Sequence, residues 1–143
     1  MIMSFGQYKD KHVGWVIRND FSYFKWMKRQ EMTNRKEFQA MKKYVSILNR
    51  IPFQCACYGK CKPKNIATRY SIYSKNPDLH YYCDECDPYS SGANNGKLFI
   101  GKTIEELARL SDCNESIKQF TTNKGLKNGM RVQSYDNFFV KHK

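Results

Sequence analysis

Five of the six cysteines fall between positions 55 and 86: Cys55, Cys57 and Cys61, then 21 residues without cysteine, then Cys83 and Cys86. Two short cysteine groups flanking a strand-rich spacer are what a tetrahedral four-sulfur metal site requires. Each turn supplies two thiolates, and the spacer folds back to bring the turns together. The second pair, Cys83-Asp84-Glu85-Cys86, has the two-residue spacing of a metal knuckle and follows an apolar run from Leu79 to Tyr82. In the first group one residue separates Cys55 from Cys57, and an extended chain sends such neighbours to opposite faces. Cys57 and Cys61, with Gly59 between them for a tight turn, are therefore the expected partners of Cys83 and Cys86. Cys55 and His80 stay open as substitutes for one of the four. Cys113, remote in sequence, reads as a small buried side chain. The expected cofactor is a structural zinc ion. The disulfide alternative is disfavoured because the start, Met1-Ile2-Met3-Ser4-Phe5, lacks a signal-peptide core and a reducing compartment keeps thiols free.

The rest of the chain divides softly near Pro52, giving two expected regions, 1–52 and 53–143. Regions this small bury little apolar surface, so a structural metal has a plain thermodynamic purpose. In the first region, Ile2 to Phe5 alternate as a short strand would and Gly6 to Lys11 form a polar turn. Helical turns are expected over His12 to Arg18 and a second helix over Phe21 to about Met32, capped by Asn19 or Asp20. Phe21, Phe24 and Met27 share one face of that helix, with Tyr23 and Trp26 beside it. Aromatic residues at helical spacing read as core rather than as a base-stacking platform. A third helix, capped by Thr33 or Asn34 and ended by Pro52, repeats Phe38, Met41, Val45, Leu48 and Ile51 at three- and four-residue steps.

Phe5-Gly6-Gln7-Tyr8-Lys9-Asp10-Lys11, Trp15-Val16-Ile17 and Asp20-Phe21-Ser22-Tyr23-Phe24-Lys25-Trp26-Met27 together carry a resemblance. The stretch resembles the small C-terminal module of exodeoxyribonuclease X-like proteins, whose pattern is Phe-Gly-Lys-Tyr-Lys-Gly-Lys, a short helix and a Tyr-x-x-Trp helix. Gln7 and Asp10 stand where that pattern has lysine and glycine. The resemblance covers about a fifth of the chain and implies an accessory module that binds nucleic acid. The exonuclease domain preceding it in those proteins has no counterpart here, so no nuclease activity is implied.

In the second region, Ala67 to Tyr73 and Leu79 to Tyr82 read as a hairpin turning at Asn76-Pro77-Asp78, which gives the segment the outline of a zinc ribbon. Lys60, Lys62, Lys64 and Arg69 gather near the first knuckle, as charge compensation for four thiolates, and Asp84, Glu85 and Asp87 near the second. A loop over Asp87 to Gly96, a strand over Lys97 to Gly101, and a capping box at Thr103-Ile104-Glu105-Glu106 follow. One or two helical turns over Ser116 to Thr122, a basic loop over Asn123 to Gly129 and a last strand over Met130 to Val140 complete the reading. The expected class is α+β: a small basic strand-helix-helix module packed on a zinc-ribbon-like β segment, with a short helix and a C-terminal strand.

Charge directs the functional expectation. Of the net +12, residues 1–54 hold +7, from 11 basic and 4 acidic side chains. A basic face attracts polyanions. Lys9, Lys11, Lys25, Lys28, Arg29, Lys36, Lys42 and Lys43 are the expected nucleic-acid contacts, through phosphates and without sequence specificity. The function expected is non-catalytic, zinc-stabilised binding of DNA or RNA. The alternatives are an adaptor of a nucleoprotein or viral assembly, docking a protein partner through the ribbon, and a small zinc-finger nuclease using His80 and the nearby carboxylates. No apolar run reaches the length of a membrane span, so an intracellular protein is expected, cytoplasmic, nuclear or carried in a virion.

Overall fold

Helix α1 (Val13–Asn19) is seven residues long and buried along most of its circumference: Val13, Gly14, Val16, Ile17 and Arg18 are all inside. A helix this short gains little from propensity, so its neighbours hold it. Those neighbours are α2 (Phe21–Arg29), α3 (Lys36–Arg50) and α5 (Asn114–Asn123), with α4 (Ile104–Leu107) against α5. The computed structural model describes residues 1–56, 61, 65–86, 96–110 and 112–143, with Pro77 described by its backbone alone.

The architecture is α+β. Three antiparallel strands, β1 (Arg69–Tyr73), β2 (Asn76–Tyr82) and β3 (Leu98–Gly101), lie in the order β2-β1-β3. The hairpin turns at Ser74-Lys75, just ahead of the Asn76-Pro77-Asp78 turn expected from sequence. In the central strand Tyr70 pairs with Tyr81 on one side and Gly101 on the other. Tyr70, Ile72, Leu79 and Tyr81 join one core with α5, where Phe120 meets Tyr70 edge-on at 5.7 Å. Buried residues on both sides of position 52, from Met3 to Phe139, belong to that core.

Several helix ends follow local chemistry. Thr103 caps α4 as expected, its hydroxyl accepting from the Glu106 N–H at 3.2 Å. Asp20 sits at the start of α2 without capping it. Its carboxylate instead accepts from the Tyr8 hydroxyl at 2.5 Å, the Asn114 amide at 3.0 Å and the Ser22 hydroxyl. Helix α2 stops at Arg29, three residues short of the expected Met32. Met32 N–H bonds the Met27 carbonyl at 3.0 Å and Glu31 N–H the Lys28 carbonyl at 3.2 Å, with Glu31 at φ 56°. This is the left-handed closure usually given to glycine.

Two expected strands are corrected. Ile2 to Phe5 form no strand: one bridge joins Ile2 to His12 while the intervening loop doubles back. Residues 130–140 are not a strand but belong largely to helix α6 (Val132–Lys141). Val, Tyr and Phe suggest β structure by composition, yet the buried positions, Tyr135 and Phe139, are four apart, whereas Val132 and Val140 are exposed. The contact that decides it is with α1. A Cβ on Gly14 would lie 2.9 Å from both Tyr135 and Phe139, and the His12 ring stacks on Tyr135 at 5.0 Å.

The loop after α5, read as merely basic, contains a buried cation. Lys124 is 6 % exposed, donates to the Ile51 carbonyl and lies 3.9 Å over the Phe53 ring. Burial pushes its ammonium down to about 8 from its ordinary 10.5. Between those values the unfolded chain holds a proton that the folded chain has released, so stability rises with pH through that window. Thermal denaturation from about pH 8 to about pH 9.5 is expected to show a rise in parent stability that Lys124→Met lacks. Equal slopes in the two proteins would remove Lys124 as the source. Glu31→Gly relieves the left-handed residue and is expected to raise stability by about 0.5–1 kcal/mol in chemical denaturation.

Candidate metal centre and basic surface

Chain segments from both ends of the hairpin meet at four sulfurs. Residues 53–56 are laced to the sheet: Cys55 N–H bonds the Asn65 carbonyl at 2.8 Å, Ala56 N–H bonds Tyr81 at 3.0 Å, and Ala67 N–H bonds Phe53 at 2.8 Å. Cys83 and Cys86 follow β2 in a tight turn closed by Cys86 N–H on the Cys83 carbonyl at 3.2 Å. Cys61 completes the set. The sulfurs of Cys55, Cys61, Cys83 and Cys86 all lie within 4.8 Å of one another, and all four residues are buried. They form a small core of their own with Tyr82. Cys61 and Cys86 Sγ are 3.6 Å apart, far beyond the ~2.05 Å of a disulfide. No disulfide joins any two of the four, and together they could hold a metal ion.

The sulfurs are prepared to carry negative charge. Cys55 Sγ accepts from the Cys83 N–H at 3.3 Å, and Cys83 Sγ accepts from the Asn65 amide at 3.6 Å. Burial pushes the Cys83 thiol up, but the Asn65 amide and the N–H groups of Glu85 and Cys86 outweigh it and hold the thiol below its ordinary value. Arg69 lies 4.4 Å over the Tyr82 ring and pairs with Asp84 at 2.5 Å, bringing one of the expected compensating cations beside the cluster.

The expected ligands Cys61, Cys83 and Cys86 are brought together, and the fourth sulfur among the described residues is that of Cys55. This corrects the expectation that Cys55 faces away from the site. That Cys55 turns inward is set by the Gln54–Ile66 bridge and the Asn65 hydrogen bond, pairings of remote residues that spacing does not reveal. Cys57, Gly59, Lys60, Lys62 and Lys64 lie outside the described residues, as does most of the loop from Asp87. Cys113 is buried as expected, and burial pushes its thiol up.

The expected nucleic-acid contacts fall into distinct settings. Lys9 and Lys11 are exposed on the loop before α1, and the Lys11 ammonium lies 4.9 Å from the Trp15 ring centre. Lys25 is half-buried and donates to the Ala108 carbonyl at 2.8 Å, so it ties α2 to the end of α4. Lys28, Arg29, Lys36, Lys42 and Lys43 are exposed, and none forms an ion pair among the described residues. Lys42 and Lys43, joined by Arg50 and Lys143, line a shallow depression of about 570 Å³ to which no acidic side chain contributes among the described residues. Arg50 and Lys143 were not among the expected contacts. Arg50 follows Lys36 and Lys43 at seven-residue steps, a helical spacing that would have identified it.

No helix among the described residues is long and apolar enough to cross a membrane. Comparison with protein-family models, curated protein sequences and solved structures finds no match to the chain.

Elemental analysis of purified variants tests the sulfur set. Cys55→Ser and Cys83→Ser are expected to lose stoichiometric metal, whereas Cys57→Ser and Cys113→Ser keep it. Metal retained by Cys55→Ser and lost by Cys57→Ser would return the site to the pairing read from sequence.

Proposed function

We propose that the protein is a non-catalytic, zinc-stabilised nucleic-acid-binding protein whose basic helical face contacts phosphates. Zinc is the metal that best suits four buried sulfurs. A tetrahedron with Zn–S bonds of about 2.3 Å has edges of about 3.8 Å, close to the 3.6 Å between Cys61 and Cys86. A four-cysteine site leaves no open coordination position, so the ion's part is structural: it holds residues 53–56 and 61 to the end of β2.

The observation that carries the nucleic-acid reading is the outer face of α3. Lys36, Lys43 and Arg50 recur every seven residues over about 21 Å of helix, with Lys42 beside them and no ion-pair partner among the described residues. Cations held apart from carboxylates keep their full charge for a polyanion and release its counterions on binding. The resemblance in residues 5–27 to a module of nucleic-acid enzymes supports the same reading. Asp10, at φ 73°, stands where that module carries glycine, the residue that adopts such a backbone with least strain. A non-catalytic role is proposed because a four-sulfur site offers a metal no position for substrate, and Asp84, one of the carboxylates the nuclease alternative would use, is held by Arg69.

Salt-titrated binding to DNA and RNA tests this. The triple variant Lys42→Ala, Lys43→Ala, Arg50→Ala is expected to reduce the salt slope by about 0.7–0.9 for each phosphate it no longer neutralises. Affinity at low salt should fall by orders of magnitude while helical circular dichroism is unchanged. Unchanged affinity and slope in the triple variant would leave the α3 face as a solvated surface.

A further inference from the structure

The loop over residues 5–11 and the start of α2 enclose a depression of about 480 Å³ whose chemistry differs from that of the α3 face. Its wall is the outward face of α2, where Ser22, Trp26 and Arg29 follow one another at four- and three-residue steps. Trp26 is 36 % exposed and is the one aromatic among the exposed large apolar side chains of the described residues. Its ring is backed by Tyr23, with centres 5.2 Å apart and planes inclined by 29°, so it is held in one orientation. Arg29, one turn further along, is exposed and has no ion-pair partner among the described residues.

The floor of the depression carries an unsatisfied group. Tyr23 is 7 % exposed, and its hydroxyl has no hydrogen-bond partner among the described residues. Gly6 roofs it: at φ 74°, a Cβ there would lie 2.3 Å from the hydroxyl oxygen. Burying a hydroxyl without a partner is unfavourable, so the Tyr23 side of the depression keeps an unmet hydrogen-bonding capacity. Gln7, beside Gly6, adds an amide able to donate and accept. The pocket's one carboxylate, Asp20, already accepts from Tyr8, Ser22 and Asn114, so its lone pairs face protein donors. Its negative charge opposes an anion beside Ser22, so the anion is placed at Arg29, at the other end of the wall.

A flat ring face, a cation one turn away and hydrogen-bonding groups at the base form a set that takes an aromatic ring bearing an anion. Within the nucleic-acid reading on which this rests, that ligand is a nucleotide. We propose that this depression binds one unpaired nucleotide, its base stacked on Trp26 and its phosphate on Arg29, so that the protein prefers single-stranded nucleic acid. A duplex keeps its base faces stacked on each other and offers the site only phosphates, whereas a single strand presents free faces.

The test uses the full chain, a short oligothymidylate and a duplex of equal length. In a Trp15→Phe background, which leaves Trp26 as the only tryptophan, oligothymidylate is expected to quench fluorescence and duplex to leave it nearly unchanged. Trp26→Ala should weaken single-strand binding between about fivefold and about 150-fold. Duplex affinity should stay the same, and Trp26→Phe should restore most of the loss. Arg29→Ala should lower the single-strand salt slope by the equivalent of about one phosphate. Should Trp26→Ala fail to fold, the quenching experiment decides alone. An unquenched Trp26, or equal loss on duplex and single strand, assigns Trp26 to packing and overturns the nucleotide site while the α3 reading stands. A parent protein that binds neither probe at low salt overturns both.

Discussion

Burial of α1 is the constraint on which the helical part of the molecule depends. Seven residues make too few hydrogen bonds to persist alone, so Val13, Val16 and Ile17, each 0 % exposed, hold the helix by what they touch. Gly14 lets α6 approach to van der Waals contact, and its N–H bonds the His12 ring at 2.9 Å. That bond leaves the other ring nitrogen to donate to Asp136 of α6 at 2.7 Å. Arg18, buried at the far end, donates to the Leu126 carbonyl at 3.0 Å and fixes the segment after α5. One short helix thus sets the positions of α3, α5 and α6, and thereby the direction in which the basic face of α3 points.

The sulfur cluster plays the corresponding part at the other end of the sheet. The apolar core from Met3 to Phe139 reaches the sheet through Tyr70, Ile72, Leu79 and Tyr81, while Tyr82 belongs to the sulfur cluster. Cys83 and Cys86 belong to that cluster and not to the apolar core, and four thiols with one ring are too little surface to hold a fold by the hydrophobic effect. N–H groups of Cys83 and the Asn65 amide aimed at sulfur are consistent with a site organised around charge.

The cations divide by environment rather than by position along the chain. Lys25, Arg18 and Lys124 each donate to a backbone carbonyl and serve packing. Lys28, Arg29, Lys36, Lys42, Lys43 and Arg50 stay in solvent, and their charge is available to a partner. A face of this kind supplies attraction without discrimination. Trp26, one turn from Arg29 on α2, would under the proposed reading add a contact that depends on the strandedness of the partner.

Local chemistry determined what was legible in the sequence. Three of the four clustered sulfurs, the apolar faces of α2 and α3, the Thr103 cap and the hairpin strands all follow from spacing within a few residues, where helix and strand periodicity act. Only the tertiary structure decided the rest. The choice of Cys55 turns on strand pairing with residues 65 and 66, and the helix over 132–141 on its fit against Gly14. The end of α2 at Arg29 carries no glycine signal because Glu31 takes the left-handed position. The burial of Lys25 and Lys124 and the exposure of Trp26 depend on neighbours dozens of residues away or on how much of a ring the fold leaves uncovered. Periodicity states which side chains share a face; what that face meets is fixed by contacts between remote segments.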